Sequence, residues 1–302
     1  MNIGFVGLGR MGLNMVRRLT AGGHMIWATA RTTAKRVDAE AAGARWADDL
    51  DGFVKNLAPP RVVWLMVPAG AATEETIEAL SRKLSPGDII VDGGNSDHRD
   101  TVQRAERLTA RGLKFIDCGT SGGIWGLEKG YCLMIGGDSA SVAHLAPVFT
   151  TLAPPDGWMH VGKAGFGHYV KMVHNALEYG MMQAYAEGFE LLQHHCGKSL
   201  NLGDVSRLWN KGSVVRSWLL ELSEKVLDDP ARLDSVAGRV DDSGECRWAV
   251  ESALSESIPA PVFAAALFSR FASRRDDGFG NKFLAALRNQ FGGHAVARRE
   301  ER

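Results

Sequence analysis

The chain carries no excess of charge of either sign: among its 302 residues Lys plus Arg number 35 and Asp plus Glu number 35. That balance gives no electrostatic argument for nucleic acid or an anionic membrane as a partner, and neither is expected. No apolar run approaches the roughly 18 residues that cross a bilayer. The opening Met1-Asn2-Ile3-Gly4-Phe5-Val6 lacks the basic and apolar regions of a signal peptide. Cysteine is scarce, and Cys118, Cys132, Cys196 and Cys246 form no CxxC pair, which reads as free thiols in a reducing cytoplasm. His194-His195-Cys196 is the nearest approach to a metal cluster. Adjacent helical residues point in different directions and no second ligand pair lies close, so no metal is expected. Internal repeats and low-complexity segments are absent. The length suffices for two domains and a large buried core.

The first half alternates short apolar runs with amphipathic segments, the pattern of βαβ units and a parallel sheet. Candidate strands are 2–6, 24–28, 61–67, 88–92, 114–117, 132–135 and 158–161, with helical stretches between them such as 11–21, 72–83 and 99–110. Beyond about residue 165 the strand pattern stops. Helical patterns follow at 168–195, 202–211, 217–227, 246–257, 261–273 and 281–290. The expected architecture is an α/β Rossmann-type dinucleotide-binding domain over 1–165, followed by an all-α domain over 166–302 for substrate binding and dimerisation.

Gly7-Leu8-Gly9-Arg10-Met11-Gly12 fits GxGxxG, follows a candidate strand and opens a helix. In that context the glycines permit a tight turn and close approach of a pyrophosphate to the helix N-terminus. After the second strand an NAD-preferring site usually places an acid against the ribose hydroxyls. Here the chain reads Thr29-Ala30-Arg31-Thr32-Thr33-Ala34-Lys35-Arg36, with no acid until Asp38. Arg31 and Thr32 suit a 2′-phosphate and favour NADP. The alternative is that Arg31 stacks on adenine and tolerates either NADP or NAD. Three more loops follow strands: Val67-Pro68-Ala69-Gly70, Gly93-Gly94-Asn95-Ser96 and Gly119-Thr120-Ser121-Gly122-Gly123. Ligands in open α/β sheets bind outside the carboxyl ends of strands, so these small polar loops suit a nicotinamide and a hydroxylated substrate.

The most informative run is Lys171-Met172-Val173-His174-Asn175-Ala176-Leu177-Glu178-Tyr179. At about 100° per residue Lys171, Asn175 and Glu178 fall within roughly 60° of one another on a helix. A base, an amide and an acid then project one way from a rigid element, while Met172, Val173, Ala176 and Leu177 supply packing on the other faces. The bland alternative is a charge pair on a solvated face.

Taken with Ile90-Val91-Asp92-Gly93-Gly94-Asn95-Ser96, Ser121-Gly122-Gly123 and Arg288-Asn289-Gln290-Phe291-Gly292-Gly293-His294, this run resembles the decarboxylating 6-phosphogluconate dehydrogenases in their short form. The likeness covers Met1 to about His294. It implies oxidation of 6-phosphogluconate at C3 and loss of C1 as carbon dioxide, giving ribulose 5-phosphate in the pentose phosphate pathway, without a metal. On that likeness neutral Lys171 takes the C3 hydroxyl proton and, once protonated, polarises the new ketone. Burial near a cationic nicotinamide favours the neutral amine. Glu178 would protonate the enediol carbon. Asn95, Ser121, Gly122, Gly123, His174 and Asn175 would orient carboxylate and hydroxyls. Tyr179, Arg288 and His294 would bind the phosphate, the last two reaching from a second subunit. The likeness also implies a homodimer or homotetramer.

The chain departs from that pattern in places. Long forms carry a phosphate-binding Lys before Gly-Thr-Gly-Lys-Trp, where this chain reads Ser243-Gly244-Glu245-Cys246-Arg247-Trp248. Short forms usually have Gly at the Cys246 position, and many carry an acid where this one has Arg31. A hydroxyisobutyrate-type dehydrogenase without decarboxylation is the nearest rival. It would usually read Lys-x-x-Asn-Asn and offer nothing equivalent to Glu178. A cofactor-binding sensor without catalysis would have no use for a proton-transfer pair.

Overall fold

The computed structural model describes residues 1–275 and 278–292 and divides into two compact units, Met1–Asn175 and Ala176–Arg302. The division falls inside one unbroken helix.

The first unit holds strands β1 (Asn2–Val6), β2 (Met25–Thr29), β3 (Arg45–Trp46), β4 (Val62–Leu65), β5 (Ile89–Asp92), β6 (Lys114–Ser121), β7 (Cys132–Gly137) and β8 (Trp158–Gly162). Its helices are α1 (Arg10–Ala21), α2 (Arg36–Ala41), α3 (Leu50–Lys55), α4 (Ala71–Ser81), α5 (His98–Thr109), α6 (Gly126–Lys129) and α7 (Ser139–Leu152). β4 and β5 are Val-Val-Trp-Leu and Ile-Ile-Val-Asp, buried throughout, as strands covered on both faces must be. The sheet order is β3-β2-β1-β4-β5-β6-β7-β8. The order reverses between β1 and β4, which opens a crevice at their carboxyl ends. One apolar layer packs Met15, Val16 and Leu19 of α1 with Phe149 of α7, and the other packs Phe53, Ile77, Leu80 and Leu108. Trp64 joins strand to layer, stacked on Phe5 with centroids 6.4 Å apart and edge-on to Phe149 at 6.1 Å.

Three features depart from the sequence reading. The pairing of β6 with β7 is antiparallel, within a sheet otherwise parallel. β6 runs on through Gly119 and Thr120 to Ser121, so part of the expected loop is strand. Helices α2, α3, α6 and α7 and the two-residue β3 occupy stretches where the sequence reading named no particular element.

The helix α8 (Phe166–Cys196) carries the chain into the second unit. There follow α9 (Leu202–Trp209), α10 (Trp218–Leu227), α11 (Pro230–Asp234), α12 (Glu245–Ser255), α13 (Pro261–Ala272) and α14 (Phe279–Gly292), with no strand among the described residues. Local caps set several of these ends. Asn201 accepts the amides of Gly203 and Asp204 at the start of α9, and Ser217 accepts that of Leu220 at the start of α10. Ser206 then donates to the Leu220 carbonyl at 2.8 Å, locking α9 to α10. Among the described residues no helix is long and apolar enough to cross a membrane.

Candidate active site

The glycine-rich turn stands where β1 gives way to α1. Gly7 has φ +98°, and a Cβ on Gly12 would lie 2.1 Å from the Gly7 carbonyl oxygen, so the helix meets the turn as only glycine permits. Around a Cβ built on Gly9 there is open space. Gly7, Gly9, Met11, Gly12, Met66, Val67, Pro68, Gly93, Gly94 and Asn95 line a cavity of about 360 Å³ at the carboxyl edge of β1, β4 and β5. The open approach over Gly9 and the cavity behind it fit a dinucleotide's pyrophosphate and nicotinamide end. Leu8 turns into the core, while Arg10 and Ala69 are exposed beside the turn. Arg31 and Thr32 are exposed beyond β2, outside that cavity. The Thr32 hydroxyl accepts the Ala34 amide, and Asp38 pairs with Lys35 at 3.0 Å.

Asn95 has φ 53° in the loop after β5. Its amide clasps Thr120: Nδ2 donates to the carbonyl at 3.0 Å and Oδ1 accepts the amide at 2.8 Å. Its side chain thus fixes the end of β6 and sets where Ser121 and Gly122 stand. Asp92, fully buried, shapes the same loop by accepting the Gly94 amide and the Ser96 hydroxyl.

Lys171 is 5 % exposed, and its Nζ donates to Asn175 Oδ1 at 2.6 Å, with His174 Nδ1 at 3.4 Å. His174 Nδ1 also lies 3.1 Å from Asn175 Oδ1, and its Nε2 lies 3.5 Å from Ser121 Oγ. With the proton on Nδ1 the ring donates to Asn175 and accepts from Ser121. With the proton on Nε2 it accepts from Lys171. Gly119 lets α8 come this near, since a Cβ there would stand 2.6 Å from Lys171 Cβ. Gly122 and Gly123 take φ +128° and +53° just beyond Ser121. The structure therefore brings together Lys171, His174, Asn175, Ser121 and the Asn95 loop. On α8, Met172 and Ala176 are buried as expected, but Leu177 is 54 % exposed. It falls on the side opposite Met172, Ala176 and Tyr179, where it shares a stripe with Val170.

Within the second unit Glu178 is half-buried and Tyr179 buried. The Tyr179 hydroxyl accepts the Ser243 amide at 3.1 Å, and the Ser243 hydroxyl donates to Glu245. The Arg270 guanidinium lies 3.4 Å from the Tyr179 ring centroid, a cation–π stack, and donates to the Asp241 carbonyl. Sequence reasoning missed Arg270, which stands 91 positions after Tyr179 with no motif to join them. Cys246 is fully buried, donates to the Phe263 carbonyl at 3.7 Å, and burial pushes its thiol up to about 11. Arg288 lies on α14, but its side chain and all of His294 fall outside the described residues. Among the described residues no group of three or more His, Cys, Asp or Glu could hold a metal ion.

A glycine-rich turn at the switch point of a mainly parallel sheet, with a helical second unit, defines a dinucleotide-binding α/β protein. Residues 2–162 match the family described as the NAD binding domain of 6-phosphogluconate dehydrogenase, and residues 167–280 match the 6-phosphogluconate dehydrogenase C-terminal domain. The chain belongs to the 6-phosphogluconate dehydrogenase family. It is 43 % identical to the NAD(+)-dependent, decarboxylating 6-phosphogluconate dehydrogenase of Haloferax volcanii, covering 100 % of both chains. It is 40 % identical to the putative 6-phosphogluconate dehydrogenase YqeC of Bacillus subtilis, over 99 % of this chain and 100 % of the other. Among solved structures it resembles Plasmodium falciparum 6-phosphogluconate dehydrogenase, described in apo form and with NADP+ or 6-phosphogluconate. That match has TM-score 0.84 at 25 % identity, over 100 % of this chain and 67 % of the other.

Proposed function

We propose that the chain oxidatively decarboxylates 6-phosphogluconate to ribulose 5-phosphate and carbon dioxide, with NADP as the preferred dinucleotide. The observation that carries this reading is the buried Lys171 amine, held by Asn175 beside His174 and Ser121, with Glu178 further along the same helix. When bound, the dinucleotide supplies the hydride acceptor. Gly7, Gly9, Gly12, Val67, Pro68 and Asn95 would hold it.

Lys171 accepts the C3 hydroxyl proton as the alcohol is oxidised, then donates a hydrogen bond to the ketone oxygen so that the β-keto acid loses carbon dioxide. Asn175 fixes the amine's rotamer and Ser121, Gly122, Gly123 and His174 orient the substrate. Glu178 delivers a proton to the enediol carbon that lost the carboxylate, C2 of the substrate. Tyr179, Ser243 and Arg270 take the substrate phosphate, joined by Arg288 and His294. Arg31 supports NADP: it is exposed and makes no ion pair among the described residues. We also read the enzyme as a cytoplasmic homodimer or homotetramer, which the exposed stripe Val170, Leu177 and Met181 on α8 supports.

The test is the initial rate of nicotinamide reduction with 6-phosphogluconate, gluconate or 3-hydroxyisobutyrate, each with NADP and NAD. Fast reduction with 6-phosphogluconate alone is expected. Activity confined to 3-hydroxyisobutyrate would replace this reading with the simpler dehydrogenase. In the Arg270→Ala variant KM for 6-phosphogluconate should rise about tenfold or more, the loss of one charge-assisted contact, with KM for NADP unchanged.

A further inference from the structure

Asp117 sits in the middle of β6 with no exposed surface, and the proposed chemistry gives it no part. A carboxylate buried there needs partners for its lone pairs. It finds them at the start of α8, where one oxygen accepts the Gly165 amide at 2.7 Å and the other accepts the His168 amide at 2.8 Å. These are the donors that a helix leaves unsatisfied at its N-terminus. The negative charge also faces the positive end of a 31-residue helix. Asp92, its register partner on β5, is turned instead to Gly94, Ser96 and Arg104. His168 is held a second time through its ring, by the Thr101 hydroxyl at 2.8 Å and the Asp92 carbonyl at 3.1 Å.

Lys171 is the third residue beyond His168, so any slip of the His168 amide carries to the amine one turn on. Space for the carboxylate is made on β7: a Cβ on Gly136 would stand 2.5 and 2.8 Å from the two Asp117 oxygens. We infer that Asp117 is a positioning residue, whose carboxylate sets the height and rotation of the first turn of α8 and so the place of Lys171 Nζ. The inference rests on the proposed role of Lys171.

Asp117→Asn keeps the size but turns an NH2 group toward one of the two amides. With 6-phosphogluconate and NADP, kcat should fall about tenfold to a hundredfold, the effect of misplacing a reacting group by an ångström or less. KM for NADP should stay within about threefold, as the glycine turn is untouched, and hydrogen exchange of the Gly165 and His168 amides should quicken. In a Lys171→Ala background the same substitution should lower the residual rate by less than about twofold, since no amine remains to be placed. An equal further loss in that background, or an unchanged kcat, would overturn the inference. If Asp117→Asn does not fold, Gly136→Ala, which crowds the carboxylate and leaves its charge, is measured in the same way. Failure of both to fold would make Asp117 a requirement of the fold and overturn the positioning role. If the unmodified chain does not turn over 6-phosphogluconate, the reading of Lys171 fails and this role falls with it. Normal turnover with unaltered amide exchange in Asp117→Asn would overturn Asp117's part alone.

Discussion

An amine buried as deeply as Lys171 is costly to keep unless its N–H groups are met, and Asn175 meets one at 2.6 Å. Replacing Lys171 with Met keeps the length and removes the base. Turnover should fall by about 10² to 10⁴, the usual worth of a positioned proton-transfer group, while the NADP dissociation constant, followed by fluorescence titration, stays near that of the parent. A parallel loss of NADP binding would place Lys171 in the cofactor site instead. Arg31 is tested by Arg31→Asp, which should shift the NADP-to-NAD ratio of kcat/KM toward NAD by about tenfold to a hundredfold. An unmoved ratio would mean that Arg31 does not reach the 2′-phosphate. At this scale the polar stripe of Lys171, Asn175 and Glu178 was legible because the three obey one helical spacing. Arg270 was not, because it meets Tyr179 only through tertiary packing.

Among the elements, α1 depends on a contact with no slack. The methyl group of Gly12→Ala would meet the Gly7 carbonyl oxygen, so this variant should lose about 1 to 3 kcal/mol of stability and bind NADP measurably more weakly. In the second unit Asp242 binds the segment before α12 to the end of α13, accepting from Arg247 at 2.7 Å and from Arg274 at 3.0 Å. The hydrogen bond from Arg247, followed by that from Arg274, holds its carboxyl below the usual aspartate range. A depressed folded-state pKa gives stability that is complete above the unfolded value of about 3.9 and is lost as pH falls through the folded value. Asp242→Asn should therefore lower stability by about 1 to 3 kcal/mol at neutral pH. The difference from the parent should shrink in melts taken below pH of about 4; a constant difference down to acid pH would contradict the clamp. β4 and β5 were readable as elements because a strand buried on both faces must be apolar throughout. The antiparallel β6–β7 pairing was not, since residue periodicity marks a strand and says nothing of its direction. The two-residue β3 is too short to carry a period at all.

For the whole molecule, the change from alternating strands to helices near residue 165 was legible from pattern alone, because sheet and helix demand different apolar periods. The uncovered side of α8 was less so, since an apolar residue in sequence does not tell which side of a helix is already covered. The stripe Val170, Leu177 and Met181 makes that distinction: these side chains are 37 %, 54 % and 41 % exposed. Leu177→Arg should reduce the molar mass found by light scattering toward that of one chain of 32.7 kDa, and an unchanged mass would remove α8 from the interface. If Lys171 opens the proposed reaction and Glu178 closes it, carbon dioxide leaves in the same turnover that reduces the dinucleotide. The most direct measurement is the ratio of carbon dioxide released to NADPH formed from 6-phosphogluconate. One carbon dioxide for each NADPH is the expected result, and NADPH without carbon dioxide would make the reaction a simple dehydrogenation.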